Sequence, residues 1–208
     1  MISSKIQSIL HNDIQIYDKK NGKDYLVVFG KGKNDTLKWC QLSFNNYNFW
    51  HLLGCKVKNK NHHIIYENCK AKKDVMNDIS LVHSHAEADV KHVVFNNVFD
   101  FVANAKFVKI GYVEDSPEQF YLTMSIGNNI GFIGYDYPKN GNKNFLIPKS
   151  VQNKKISIVT KNTYKILFIL SKQQNQKSYT TIEYEIKDKI CNEYLPEISQ
   201  TVQTKIVL

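Results

Sequence analysis

The feature that most constrains the fold is a series of short apolar segments that begins at residue 107 and alternates with period two. Alternation of this kind is typical of β-strands that bury one face. Turn-forming sequences separate the segments, among them Gly127-Asn128-Asn129. The region therefore predicts a meander of antiparallel strands over residues 107–113, 120–126, 130–137, 145–147, 156–159 and 164–170.

Before residue 107 the chain has helical spacing in two places. Ile2, Ile6, Ile9 and Leu10 predict a short amphipathic helix in the first ten residues, and residues 87–104 predict a longer one. The longer helix has acidic residues in its first turn, where they complement the helix dipole. Its expected buried stripe comprises Val90, Val93 or Val94, Val98, Phe101, and Val102 or Ala105.

A hairpin and a short helix are predicted between these two helices. Apolar runs at residues 25–29 and 37–44 flank a Gly/Asn/Asp-containing turn, which is the pattern of a β-hairpin. Asn45 or Asn46 can cap the helix that follows, and Gly54 ends it.

The order of elements indicates the fold class. Helices followed by antiparallel strands are typical of α+β proteins rather than of βαβ units, so we expect N-terminal helices and a small hairpin packed on a C-terminal antiparallel β-sheet. Residues 55–66 are expected to form a polar loop with a strand at 64–66, and residues 67–82 a helix. With 208 residues, one domain is expected over residues 1–172, followed by a C-terminal extension over 173–208 that forms a hairpin.

Positive charge is concentrated in the second half of the chain. The chain contains 28 lysines and no arginine, and its formal net charge is +9. A local field of concentrated lysines attracts a phosphate polymer, which favours nucleic acid over a small neutral substrate. For any single lysine, solvation of an exposed strand is the competing explanation. Eight lysines and no acid occur in residues 137–172: Lys139, Lys143, Lys149, Lys154, Lys155, Lys161, Lys165 and Lys172.

Hydropathy and cysteine usage indicate the compartment. No segment approaches the roughly 20 apolar residues of a membrane span, and the first ten residues lack the apolar core of a signal peptide. Cys40, Cys55, Cys69 and Cys191 show no CxxC spacing, which suits a reducing cytosol. We therefore expect a cytoplasmic protein with no membrane association.

Motifs for metal or nucleophilic chemistry are weak. The chain lacks a P-loop and a Gly-x-Ser-x-Gly elbow. His83, His85 and Asp89 form a candidate metal site for a hydrolase, for which an exposed polar stripe is the competing explanation. The strand at 120–126 has a hydroxyl-rich face with Thr123 and Ser125, which is either a phosphate-binding surface or an ordinary solvent-facing side.

Two motifs resemble a nuclease family. Residues 42–54 read Leu-Ser-Phe-(x4)-Phe-Trp-His-Leu-Leu-Gly. This resembles the segment of the phage-associated Barnase/EndoU/colicin/RelE-like nucleases, fourth subfamily, in which a strand ends in Phe and a helix carries Phe-x-His-Leu-x-Gly. Residues 145–150, Phe-Leu-Ile-Pro-Lys-Ser, are similar to the closing aromatic-x-x-Pro-x-Ser/Thr signature of that family. The resemblance covers residues 25–172.

The resemblance implies a metal-independent endoribonuclease of a bacterial phage or mobile element, of the toxin or phage-defence type. It needs no cofactor, and its partners are RNA and a cognate antitoxin or immunity protein. His51 would act as general base or acid, Lys149 would offset phosphorane charge, and Ser150 would orient the phosphate. The family carries arginine on its long helix, where Lys91 or His92 would substitute here. Further substrate contacts are expected from Thr123, Ser125, Tyr135, Lys109 and Lys165.

Other functions stay open at this point. A non-catalytic nucleic-acid-binding or interaction protein would retain the same sheet and charge, with His51 packed beside Trp50 and no catalytic task. The third candidate function is a metal-dependent hydrolase with its metal at His83, His85 and Asp89. A cleft that joins His51 to the segment with Lys149 favours the enzyme.

Overall fold

The computed structural model describes residues 2–31, 36–58, 61–82, 84–114, 122–140, 142–188, 190–202 and 205–206. The described helices are α1 (Ile2–Asp18), α2 (Asn46–Leu52), α3 (His62–Lys70), α4 (His85–Val98), α5 (Ile156–Val159) and α6 (Ile190–Thr201). The strands of the large sheet are β1 (Lys23–Gly30), β2 (Lys38–Ser43), β5 (Lys109–Tyr112), β6 (Met124–Gly127), β7 (Phe132–Asp136), β8 (Ile147–Gln152), β9 (Tyr164–Gln173) and β11 (Thr181–Glu185). Two small pairs complete the described elements: β3 (Cys55–Val57) with β4 (Ile79–Leu81), and β10 (Ser178–Tyr179) with β12 (Lys205–Ile206).

The large sheet is antiparallel and curls until its two edges meet. Its strand order is β2-β1-β9-β5-β6-β7-β8, with β11 also paired to β9. At the junction, the Leu146 N–H donates to the Gln41 carbonyl at 2.8 Å, and the Leu146 carbonyl accepts from the Ser43 N–H at 2.9 Å. The end of β2 therefore lies beside the start of β8, although about 100 residues separate them in the chain. The α+β class is confirmed.

The hairpin belongs to the sheet instead of packing on it. Strand β1 pairs with β2 on one edge and with β9 on the other, for example Val27 with Ile169. An inner hairpin strand presents a second row of N–H and C=O groups, and pairing with β9 satisfies them.

Helices cover both faces of the sheet. Helices α1 to α4 pack on one another, and α2 and α4 contact β8; the main core there includes Tyr25, Val27 and Phe29 of β1. The alternate residues Leu26 and Val28 face a second core, which α6 covers. Strand β1 is therefore buried on both sides, and its sequence is apolar without interruption from Tyr25 to Phe29.

The segment between α2 and α4 differs from the prediction. A helix, α3, replaces the expected loop and strand, because the Asn61 side chain accepts from the Ile64 N–H and caps it. The expected helix over 67–82 is wrong, since α3 ends at Lys70 and β4 pairs with β3.

Two other elements are corrected. Residues 156–159 form the short helix α5 instead of a strand, with Ile156 and Val159 buried one turn apart. Helix α4 begins at a capping box of Ser84 and Glu87 and ends at Val98, six residues before the expected end. No helix in the described part of the chain is long and apolar enough to cross a bilayer.

Candidate active site

Helix α2 brings His51 to the protein surface. Its neighbours Phe49, Trp50 and Leu52 are buried in the core, and Gly54 ends the helical region with a positive φ of 69°. Tyr47 precedes His51 by one turn, so the two side chains share a face. The Tyr47 hydroxyl lies 3.4 Å from His51 Nε2, and the ring centroids are 5.3 Å apart. His51 is exposed and therefore does not pack in the core beside Trp50.

A second histidine from α3 approaches the same tyrosine. The His62 ring centroid lies 4.8 Å from that of Tyr47. Nearby, His63 Nδ1 lies 2.9 Å from Asn46 Nδ2, which ties the start of α3 to the start of α2. We call His51, Tyr47 and His62 the histidine cluster.

The pKa of His51 is lowered from its usual value of 6.5. Partial desolvation of the ring by neighbouring groups is the largest cause, and electrostatic effects of His62 and Lys149 add to it. His51 is therefore mainly neutral at pH 7, with a ring nitrogen free to accept a proton. Helix α2 packs on β8, so the two motifs of the sequence lie against each other.

Lys149 occupies an irregular position in β8. Gly134 of β7 pairs with Ser150 and Tyr135 pairs with Pro148, so Lys149 has no Cα partner on β7. An unpaired extra residue is a β-bulge, a device that re-aims a side chain at strand edges and active sites. Lys149 lines a cavity together with Tyr47 and Asn48 of α2, which packs on β8.

A cavity of about 570 Å³ lies between the start of α2 and the chain around β8. Lys139 and Lys149 supply positive charge to it, Tyr47 and Phe145 supply aromatic surface, and Asn48 is a buried amide. No carboxylate is among its described lining residues. Tyr47 belongs both to this cavity and to the histidine cluster, so it connects His51 with the cavity. The other lining residues are Ser43, Asn45, Pro138, Asn140, Asn142 and Ile147.

Ser150 lies next to this site without opening onto it. Its side chain is 4% exposed, and its hydroxyl accepts from Gln152 Nε2 at 2.5 Å. The Ser150 hydroxyl therefore bonds within β8, beyond the bulge, whereas Lys149 lines the cavity.

The predicted hydroxyl face of β6 is covered. Ser125 and Tyr135 are 0% exposed, because helices α2 and α4 cover one side of the sheet and the short helix α5 packs on β6 from the other. Thr123 is partly exposed, but its hydroxyl donates to Asp136 Oδ1 at 2.6 Å. Ser125 and Tyr135 therefore cannot contact a substrate in this conformation, which corrects the expectation that this face is open.

The lysines of the predicted basic surface lie in different parts of the structure. Lys109 and Lys165 are Cα partners across β5 and β9, and two strands separate β5 from β8, a distance of about 14 Å along the sheet. They stay predicted contacts for a more distant part of a long substrate. Lys172 is 8% exposed and pairs with Asp24 at 3.3 Å, so it does not contribute to a free basic surface.

Of the three candidate metal residues, only Asp89 has a described side chain. His83 lies outside the described residues, and Asp89 Oδ2 accepts from Lys5 Nζ at 2.6 Å. Of the long-helix substitutes, His92 Nδ1 lies 2.7 Å from the buried Asp13. Among the described residues, no three His, Cys, Asp or Glu side chains cluster as metal ligands.

The sequence did not reveal three residues of this site. Tyr47 precedes His51 by four residues on a predicted helix, a spacing that would have paired them. Asn48 and His62 do not have this four-residue spacing relative to a predicted site residue. The cavity that Asn48 lines forms only when residues 43–48 meet the distant segment 138–149.

A histidine with a lowered pKa, in contact with a tyrosine of a lysine-containing cavity whose described lining includes no carboxylate, can perform acid–base chemistry on an anionic ligand. On an α+β fold with a curled antiparallel sheet, this arrangement is that of a nuclease-like protein. The chain belongs to the phage-Barnase-EndoU-ColicinE5/D-RelE like nuclease4 family (PBECR4), whose family model matches residues 9–188. The match confirms the resemblance seen in the two motifs, and membership supports a nuclease function with a nucleic acid as substrate. No curated protein and no solved structure matches the chain.

Proposed function

We propose that this protein is an endoribonuclease that cleaves RNA without a metal ion, through attack of the 2′-hydroxyl on the neighbouring phosphate. The observation that carries the proposal is that Lys149 and Tyr47 line one cavity and that the Tyr47 hydroxyl contacts His51. RNA brings its own nucleophile, so the enzyme has to supply a base, an acid and positive charge for the phosphate oxygens.

His51 takes the proton of the 2′-hydroxyl while the 2′-oxygen forms its bond to phosphorus. The bond from phosphorus to the 5′-oxygen breaks, and Lys149 stabilises the charge on the phosphorane oxygens. The Tyr47 hydroxyl donates a proton to the leaving 5′-oxygen. The 3.4 Å contact then lets the protonated His51 return a proton to Tyr47. The products are a 2′,3′-cyclic phosphate and a 5′-hydroxyl, and the protein is unchanged.

The other predicted residues have supporting roles in this proposal. Ser150 supports the strand behind Lys149, and the partly exposed Thr123 keeps the end of β7 in place through Asp136. Lys109 and Lys165 bind phosphates away from the cleaved bond.

The biological setting is part of the same proposal. The family description names phage, and an active ribonuclease harms the cell that makes it. We propose a bacterial phage or mobile-element protein that acts in the cytoplasm as a toxin or defence effector, held in check by a cognate antitoxin or immunity protein.

The chemistry predicts a specific pattern of products. In EDTA, purified protein should cut a structured RNA into fragments with 2′,3′-cyclic phosphate ends, and should leave the same RNA uncut when it carries 2′-O-methyl groups. Denaturing gels with mass spectrometry of the fragment ends measure this. Loss of cutting in EDTA contradicts metal independence, and cutting of the methylated RNA contradicts 2′-hydroxyl attack. Binding without cutting supports the non-catalytic alternative.

Tyr47→Phe tests the proposed acid. It keeps the ring and removes the donor, so kcat should fall about 10²-fold, as expected for the loss of a general acid. The deficit should shrink on an RNA with a 5′-bridging sulfur at the cleaved bond, because a thiolate leaves without a proton. Tyr112→Phe, which changes an exposed tyrosine on β5, is the matched control. An equal deficit on both substrates would show that Tyr47 has a structural role only.

A further inference from the structure

The cavity beside His51 contains a buried polar atom that the protein leaves unsatisfied. Asn48 is 3% exposed, lines the cavity, and its Oδ1 has no hydrogen-bond partner among the described residues. Buried acceptors are almost always paired, since an unpaired one loses its bond to water without compensation. Because Asn48 lines the cavity, an unpaired amide oxygen on this residue indicates a ligand that brings an N–H donor.

The remaining walls indicate what kind of ligand this is. Two aromatic rings, Tyr47 and Phe145, line the cavity and provide the flat apolar surfaces on which nucleobases stack. Lys139 and Lys149 supply two positive charges in the same space, which suits the phosphate attached to such a base. The volume of about 570 Å³ lies within the usual range for small-ligand sites.

We propose that this cavity is a base-binding pocket, and that Asn48 is its specificity-determining residue with adenine as the preferred base. An Asn amide pairs with adenine through two hydrogen bonds, in which Oδ1 accepts from the N6 amino group and the amide donates to the adjacent ring nitrogen. A purine also gives the larger surface for stacking on Tyr47 and Phe145. The pocket would hold the nucleotide next to the phosphate that His51 and Lys149 act on, so this inference rests on the proposed function for its role in cleavage.

Helix α2 couples recognition to chemistry in this proposal. Asn48 precedes His51 by three residues on the same helix, and Tyr47 belongs to both places. A base seated against Asn48 and Tyr47 would fix the position of its own ribose and phosphate relative to the histidine. The protein would then cut beside adenines without reading a longer sequence.

The test measures binding of molecules that the protein cannot cut. The probes are 3′-AMP, 3′-GMP, 3′-CMP, 3′-UMP and ribose 3-phosphate, titrated into the full chain and followed by NMR. We expect 3′-AMP to bind most tightly. Asn48→Ala should weaken 3′-AMP binding by about 10- to 100-fold, the range for one bidentate base contact, and leave ribose 3-phosphate unaffected.

Asn48→Asp gives an isosteric second variant. A carboxylate only accepts hydrogen bonds, so adenine should lose its advantage and guanine, which offers N1–H and N2–H together, should gain it. Asn97→Ala, an exposed asparagine of α4, is the control and should bind all five probes as the native chain does. Thermal unfolding of each variant establishes that it is folded.

The outcomes separate the pocket from the proposed reaction. If the five probes weaken equally in Asn48→Ala, or if base preference is the same in all variants, the pocket proposal is overturned even where RNA is cut. If base preference follows Asn48 and the native chain cuts no RNA, the pocket stands and the ribonuclease proposal fails. If both hold, cleavage sites on a long RNA should lie next to adenines.

Discussion

His51→Ala should abolish most RNA cleavage while RNA binding persists. Removal of a general base lowers kcat by about 10²–10⁴-fold, and His51 contributes little to affinity, because it is mainly neutral at pH 7. Single-turnover cleavage of a short RNA in EDTA gives the rate, and fluorescence anisotropy of a 2′-O-methyl RNA gives the affinity. The side chain is exposed on α2, so the thermal unfolding midpoint should change little.

A matched control for this variant lies on α1. His11 is bonded through Nε2 to the Lys73 carbonyl at 3.1 Å, away from the cavity, so His11→Ala should cut RNA at the native rate. Equal rates for His51→Ala and the native chain would remove His51 from the mechanism. A loss of both cleavage and RNA binding in His51→Ala would give it a binding role in place of a catalytic one.

The parts of the fold that the sequence predicted are those with strong local patterns. Period-two alternation placed β5, β6, β7 and β9 within a few residues, whereas the strand predicted at 145–147 shares only Ile147 with β8; Gly54 marked the end of α2. Short apolar runs were ambiguous: the run at residues 156–159 fits a strand as well as the turn of helix that it forms. Periodicity cannot separate the two over four residues, and only the packing of α5 against β6 decides it.

Burial on both sides of the sheet explains the largest error in the site. The alternation in β6 predicted one open face with Ser125, but α5 covers that face, and the position of α5 follows from tertiary packing. In the same way, the second core that α6 covers buries one side of β1, and the sequence pattern of a hairpin gave no sign of this or of the pairing of β1 with β9.

The family motifs supplied His51 and Lys149 as candidate site residues, and their roles stay predictions. His51 and Lys149 lie in the two segments that resemble the family, and the structure brings these segments together. The cavity could not be predicted, because it depends on the curl that bonds Leu146 to β2. Long-range closure of this kind leaves no periodic signal in the sequence. The same closure places the two motifs beside one cavity, and Asn48 is among its lining residues.

Lys149→Gln should lower kcat by about 10²–10³-fold, the cost of removing one group that stabilises transition-state charge. It should also change the pH dependence of cleavage. The ammonium of Lys149 disfavours protonation of His51 and so contributes to its lowered pKa. Without that charge the pKa of His51 rises. The base form is then lost at a higher pH, and the acidic limb of the kcat/KM profile moves to higher pH. Cleavage rates between pH 4.5 and 8.5 measure both effects.

Two further variants test whether the effects come from the charge of Lys149 itself or from any positive charge in the cavity. Lys149→Arg keeps the charge, so its acidic limb should coincide with that of the native chain even if its altered shape slows cleavage. Lys139→Gln removes a charge from the same cavity wall, but Lys139 is not among the groups that lower the pKa of His51. We expect it to raise KM and leave the limb in place. If Lys149→Gln raises KM alone, with kcat and the limb unchanged, then Lys149 anchors a phosphate at a distance from His51. The two motifs would in that case not form one catalytic centre, because a charge that acts on the reacting phosphate must also act on the base beside it.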